Sequence, residues 1–150
     1  MRYIERVLQP GENLVHASKI HWVIYIPGVI VVLGGVALFL IAMNDPQLFW
    51  LALAVGFFAV GFALLFIAWF KRWTTEIDVT DRRIVFKRGL IWRHTAEMNM
   101  DKVESVDVNQ SILGRLLGYG DIIVRGTGAG MEPLRNIEGP LEFRNCVTAR

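Results

Sequence analysis

The chain has 150 residues, 53% of them apolar, with 16 basic and 14 acidic side chains and a formal net charge of +2. Between Trp22 and Phe70 lie 49 residues and a single charge, Asp45, while the other 29 charges crowd into the remaining 101 residues. That partition excludes a wholly soluble globule, and so much apolar side chain excludes a disordered one.

Residues 1–21 form a polar lead-in, expected on the cytoplasmic side, and the apolar window follows. It divides into two uncharged runs, Trp22–Met43 and Leu48–Phe70, of 22 and 23 residues. At a rise of about 1.5 Å per residue each run extends about 33 Å as a helix, enough to cross a hydrocarbon core of about 30 Å. Neither carries the polar stripe that a helix of a soluble bundle keeps. The first run is too long for a signal-peptide core, lacks a small-x-small cleavage site and is followed at once by the second, so it reads as an uncleaved anchor. Only Asn44, Asp45, Pro46 and Gln47 separate the runs, which makes them an antiparallel hairpin. Arg2, Arg6 and Lys19 precede the pair, Lys71 and Arg72 follow it, and the turn has no cation. The positive-inside bias predicts both termini in the cytoplasm and residues 44–47 on the far side. Trp22, Tyr25, Trp69 and Trp73 suit one interface, Phe49 and Trp50 the other.

In lipid, helices associate through close backbone approach at small residues. Gly28, Gly35 and Ala42 recur every seven residues in the first run, and Ala52, Gly56, Ala59 and Ala63 recur at steps of four, three and four in the second. These faces are predicted to pack against each other, the alternative being that one of them is a dimerisation surface. Pro27 lies in the first turns, where a missing amide donor costs least. A transport path or intramembrane catalyst needs polar side chains inside the bilayer, and neither run contains Ser, Thr, Asn, Gln, His or, within it, a charge.

The soluble part, Lys71 to Arg150, has room for one small domain. Its pattern is β. Thr74, Thr75, Ile77 and Val79 mark a first strand, Thr80-Asp81-Arg82 a turn, and Arg83 to Lys87 a second strand. Arg88-Gly89 makes another turn before a strand within Leu90 to Asn99. Val103, Val106 and Val108 mark a fourth, whose three-residue step predicts a bulge. Asp121 to Arg125 and Met131 to Ile137 complete the series across Gly126 to Gly130. Ser111 is an N-cap for a short helix carrying Ile112, Leu113, Leu116 and Leu117, closed by Gly118 and Gly120. A terminal helix starts at Pro140 and presents Phe143, Cys146 and Val147 on one face. Meandering strands plugged by a terminal helix predict a small antiparallel sandwich or partly open barrel, α+β once the helices are counted.

The stretches Val79-Thr80-Asp81-Arg82-Arg83-Ile84 with Lys87 and Gly89-Leu90, Lys102-Val103-Glu104-Ser105-Val106, and Gln110-Ser111-Ile112-Leu113-Gly114-Arg115-Leu116-Leu117-Gly118-Tyr119-Gly120 resemble the bacterial pleckstrin-homology-like domain. The hairpin ahead of them looks like the membrane-flanked type, and Pro10-Gly11-Glu12 looks like its N-terminal lead-in. The resemblance covers about Thr74 to Val147. It implies two packed antiparallel sheets closed by a C-terminal helix, no catalytic residues and a bacterial inner-membrane setting. By analogy it also implies lipid or protein binding. The chain departs from the phosphoinositide-binding pattern in offering only Arg82 and Arg83 at the first hairpin, beside Asp81. Its terminal helix has room for only about three turns.

Other candidate chemistry is weak. Gly126-Thr127-Gly128-Ala129-Gly130 does not open a helix and reads as a hairpin turn, not a phosphate loop. His16, His21, His94 and Cys146 share no metal-ligand spacing, and Asp101, Glu104 and Asp107 lack a calcium loop. Ser111 has a cap's role and no catalytic partner pattern. No enzyme, cofactor, metal or small-molecule substrate is expected, and no basic run with interleaved aromatics supports nucleic-acid binding. One asymmetry is left. From Lys71 to Arg93 the balance is +4, through Lys71, Arg72, Arg82, Arg83, Lys87, Arg88 and Arg93, and from His94 onward it is −2. Either this is a membrane-surface patch, where each cation near anionic headgroups contributes roughly 1 kcal/mol, or these are solvated faces obeying the positive-inside rule.

The sequence therefore reads as a multi-pass membrane protein whose hairpin holds a non-catalytic binding module for protein partners or anionic lipid headgroups. The alternative is a lipid-sensing or lipid-handling factor with a specific headgroup site. Expected partners are membrane lipids, further copies of the chain, or a larger membrane protein.

Overall fold

The computed structural model describes residues 7–45, 47–89, 94–127 and 130–149. Arg2, Arg6, Pro46, Leu90 and Arg93, each used above, lie outside them. The chain forms two compact units, Trp22–Lys71 and the remainder, so the second unit is built from sequence on both sides of the first.

The apolar unit is a pair of helices. A 3-10 turn at Trp22–Tyr25 leads into α1, Ile26–Asn44, and α2 spans Leu48–Thr74. Both are long and apolar enough to cross a membrane, and little of either is buried within the protein. Pro27 sits at the start of α1, where its missing N–H has no helical acceptor to lose. At the other end Asn44 Nδ2 donates to the Leu40 carbonyl at 2.8 Å, satisfying a terminal acceptor from within. The helices meet at glycine. A Cβ on Gly61 would lie 2.6 Å from Val32 Cγ2 and 3.1 Å from its backbone N, and one on Gly28 would lie 2.8 Å from Leu65 Cδ2. Gly34 and Gly35 likewise take the rings of Phe57 and Phe58.

The buried stripe of α2 is thus Ala54, Gly61 and Ala68, at steps of seven. The expected stripe, Ala52, Gly56, Ala59 and Ala63, is exposed, and a Cβ on Gly56 would meet nothing within 4 Å. Ala52 and Ala54 are two positions apart, about 200° around a helix, so choosing the wrong stripe turns the helix over. The structure selects the stripe that is bracketed by Phe57, Phe58 and Leu65, because small residues permit approach only if large neighbours fill the space beside the contact. On α1, Gly28 and Gly35 are buried and Ala42 is half-buried.

The second unit contains two antiparallel sheets. In the first, β1 (Leu14–Ser18), β2 (Glu76–Thr80), β3 (Arg83–Arg88) and β4 (His94–Asn99) lie in sequence order. In the second, β5 (Val103–Asn109), β6 (Tyr119–Gly126) and β7 (Leu134–Glu138) do the same. Between β5 and β6 lies α3, Ile112–Leu117, and after β7 comes α4, Pro140–Thr148. Ile77, Val79 and Ile84 of the first sheet and Ile122, Val124, Leu134 and Ile137 of the second are almost fully buried. Phe143, 0% exposed, and Val147 extend from α4, which packs on β1, β2, β5 and β6 and so touches both sheets. Burying such a side chain stabilises by about 1.5–3 kcal/mol, which explains how a helix of nine residues holds its place.

The three-residue step at the head of β5 is a register shift between Val103 and Ser105. A second such step, Leu134 to Ile137 in β7, is made by Asn136, whose φ of 57° lets the strand slip one position and whose N–H donates to Asp121 Oδ1 at 2.8 Å. The strand that the sequence reading did not assign is β1. The sequence bounds the soluble part at Lys71 and leaves open whether the lead-in joins its sheet, and Leu14–Ser18 is an edge strand of the first sheet, paired with β2 from Leu14↔Thr80 to Ser18↔Ile77. Leu14, Val15, His16 and Ala17 do not alternate, so period-two reading has no hold there.

Candidate functional site

Two places in the domain carry unusual chemistry, the β2–β3 turn and the short helix α3. At the β2–β3 turn, Gln9 to Asn13 clasp the chain. Gly11 takes a left-handed φ of 80°, turning the backbone so that Gln9 N–H donates to Glu12 Oε2 at 2.9 Å and Glu12 N–H donates to the Gln9 carbonyl. Asn13 and Asp81 bond reciprocally at 3.1 Å. This loop delivers the Glu12 carboxylate, whose side chain is 0% exposed, to Thr80 Oγ at 2.7 Å and to Arg83 Nε and Nη2 at 3.0 Å each. Arg83 also donates through Nη1 to Glu97 at 2.8 Å and through Nη2 to the Val7 carbonyl at 2.8 Å. Burial pushes the Glu12 carboxyl upward, and the Gln9 amide, the Thr80 hydroxyl and the Arg83 guanidinium together outweigh it, holding the group below its ordinary value. Hydrogen bonding to Glu12 in turn raises Arg83, against the effect of burial.

That network corrects one expectation. Arg83 was a candidate for headgroup contact, yet four of its five N–H donors are spent inside the protein and its side chain is only 11% exposed. Sequence reasoning had no sight of a partner 71 positions away. Arg82, exposed beside it, rims the same recess with Asp81 and Asp101. Lys87 and Arg88 stand at the opposite end of β3, about 17 Å along the strand, with Lys87 in register with Glu76 and Arg88 with His94. Lys71 and Arg72 occupy the last turn of α2, one residue before β2 begins. Among the described residues, Arg82 and Arg83 are thus separated from Lys87 and Arg88 by the length of β3.

The far end of the domain is apolar and outward-facing. Ser111 Oγ accepts from Gly114 N–H at 3.0 Å, and Gly118, at φ 77°, closes α3 with its N–H on the Gly114 carbonyl. Gly114 is buried because a Cβ there would lie 2.6 Å from the Tyr119 carbonyl, which presses this side of α3 against the domain. The opposite side then has nowhere to go but out. Ile112 is 87% exposed, Leu113 63%, Leu116 81% and Leu117 38%. Beside α3 the Gly118 carbonyl accepts from Gly139 N–H, and Glu138 N–H donates to the Lys19 carbonyl. Ile20 bridges Ile137, His21 N–H donates to the Asn136 carbonyl at 2.7 Å, and the His21 ring stacks on Tyr119 with centroids 5.2 Å apart. The residue immediately before the first apolar segment is thus fixed to the corner from which α3 projects.

Other singled-out residues have local roles. His16 meets Phe143 edge-on, and Asp107 pairs with Arg125 at 2.9 Å. A Cβ on Gly126 would lie 2.6 Å from the Lys102 carbonyl, which requires glycine there, and residues 128–129 of the same loop lie outside the described residues. Among the described residues, no three His, Cys, Asp or Glu side chains are placed to share a metal ion.

A family model for the bacterial PH domain matches residues 23–150, taking in both apolar helices and every strand after β1. The chain belongs to the bacterial PH domain family. No curated protein and no solved structure matches it. Within this PH domain chain the match begins after β1, although β1 completes the sheet and carries the Pro10-Gly11-Glu12 turn beside it.

Proposed function

We propose that this PH domain protein is a membrane-anchored, non-catalytic binding module, with α1 and α2 spanning the bacterial inner membrane and both termini in the cytoplasm. The observation that carries the reading is the place of the helix pair in the chain. It is inserted between β1 and β2, which are hydrogen-bonded neighbours, so the chain leaves the sheet just after Ser18 and returns just before Ile77, its partner in the ladder. A domain held by two crossings has one end committed to the bilayer and the rest free for partners, whereas a single flexible leash leaves every face equivalent. Lys71 and Arg72 close the second crossing and Lys87 and Arg88 close β3, and these are the basic side chains assigned to anionic headgroups in this reading. Cys146 tests the orientation, since it is half-buried and lies in the domain. A membrane-impermeant maleimide leaves it unlabelled in intact spheroplasts and labels it once the membrane is opened. Efficient labelling of intact spheroplasts reverses the topology.

Assembly is part of the same proposal. The stripe Ala52, Gly56, Ala59 and Ala63 is left outside the hairpin seam and suits close approach of another transmembrane helix, from a second copy or a larger membrane partner. Gly56→Leu is expected to abolish co-purification of differently tagged copies or of a partner while leaving the hairpin folded. Unchanged association assigns the contact elsewhere.

A further inference from the structure

We propose that α3 is an interfacial foot, a short apolar helix whose Ile112, Leu113 and Leu116 side chains sit in the headgroup region of the same bilayer that holds the anchor. The inference rests on the membrane reading above and adds a site to it. Three observations select a lipid surface as the occupant. The first is continuity. His21 stacks on Tyr119, two residues past the end of α3, and Trp22, the next residue in the chain, opens the first apolar segment. The residue that precedes that segment in the chain is thus held at the end of α3.

The second is charge. Gln110 to Gly120 contains one cation, Arg115, which is exposed, and no carboxylate, so nothing in the stretch repels an anionic surface. The third is size. Ile112, Leu113, Leu116 and Leu117 together expose on the order of 500 Å², below the roughly 800 Å² that each partner of a stable protein complex buries. A tethered domain needs no more than that, because the anchor keeps the lipid surface at high local concentration and weak insertion suffices. The helix is also built to project. Its cap, its left-handed Gly118 and the tight contact at Gly114 hold the backbone in place while Ile112, Leu113 and Leu116 stay exposed.

The test uses the full chain carrying Cys146→Ser, reconstituted in vesicles of phosphatidylcholine and phosphatidylglycerol. Single cysteines, Leu116→Cys on α3, Asp101→Cys at the opposite end of the domain and Leu33→Cys within α1, each carry an environment-sensitive fluorophore. Leu116 is 81% exposed, so its replacement disturbs no packing. Lipids bearing a nitroxide near the headgroup are expected to quench the Leu116→Cys label at least about threefold more than the Asp101→Cys label, as a helix seated about 5–10 Å into the interface requires. Lipids with the nitroxide near the chain end are expected to quench the Leu33→Cys label. Deep quenching at Leu33→Cys with equal, weak quenching at Leu116→Cys and Asp101→Cys overturns the foot and leaves the anchor standing. An unquenched Leu33→Cys label removes the anchor, and the foot with it. A Leu116→Cys label that is shielded from water, unquenched by lipid and sensitive to the protein-to-lipid ratio assigns α3 to a second copy and overturns the lipid assignment.

Discussion

At the β2–β3 turn the domain buries a carboxylate and a guanidinium, and at the other end of the same sandwich it leaves four large aliphatic side chains in the open. This inverts the ordinary distribution of a soluble domain, in which charge faces water and Leu and Ile face the core. The polar end can bury its charges because each is matched: Glu12 receives the Gln9 amide, the Thr80 hydroxyl and Arg83, and Arg83 receives Glu12, Glu97 and a carbonyl. Among the described residues nothing comparable covers α3. One end is closed by its own ion pair, and the other leaves the aliphatic face of α3 exposed.

The sharpest way to break that comparison is to remove one member of the ion pair. Arg83→Ala leaves Glu12 buried and uncompensated, and the domain is expected to lose about 3 kcal/mol, read as a large fall in the thermal midpoint of the full chain in detergent. A loss below about 0.5 kcal/mol, the size of an ordinary surface substitution, returns Arg83 to the surface.

A second, smaller effect is expected in the pH dependence. The folded-state pKa of Glu12 lies below its ordinary value, so its contribution is present above the unfolded pKa, about 4.3 for a glutamate, and is lost as pH falls through the folded value. Glu12→Gln does not titrate in that window. The variant is therefore less stable than the parent at pH 7, and the gap narrows on acidification below about pH 4.3. A gap that is constant or widens with acid contradicts the depressed carboxyl.

The smallest effect belongs to the apolar end. Leu116→Gln changes a side chain that is 81% exposed, and the stability of the detergent-solubilised chain is expected to move by less than about 0.5 kcal/mol. A loss of 2 kcal/mol or more, the size of a core truncation, places Leu116 inside the protein and dissolves the contrast between the two ends.

Patterns confined to neighbouring residues were legible directly. The apolar helices follow from run length and the absence of charge, and the strand order after Thr75 follows from β-branched runs punctuated by turns. The caps of α3 are carried by Ser111 and Gly118, and the bulge at the head of β5 by a three-residue valine step. Each is local because φ/ψ preference and side-chain periodicity act over a few residues. Tertiary structure alone decided the rest. It brought Glu12 to Arg83 across the whole hairpin, made the lead-in an edge strand, and turned α2 so that Gly61, not Gly56, meets Val32. It also put the leucines of α3 outside, where a sequence pattern of apolar residues beside a cap is the same whether the helix faces core or lipid. Burial and pairing are properties of what lies across the fold, and the chain's order does not record which distant face arrives there.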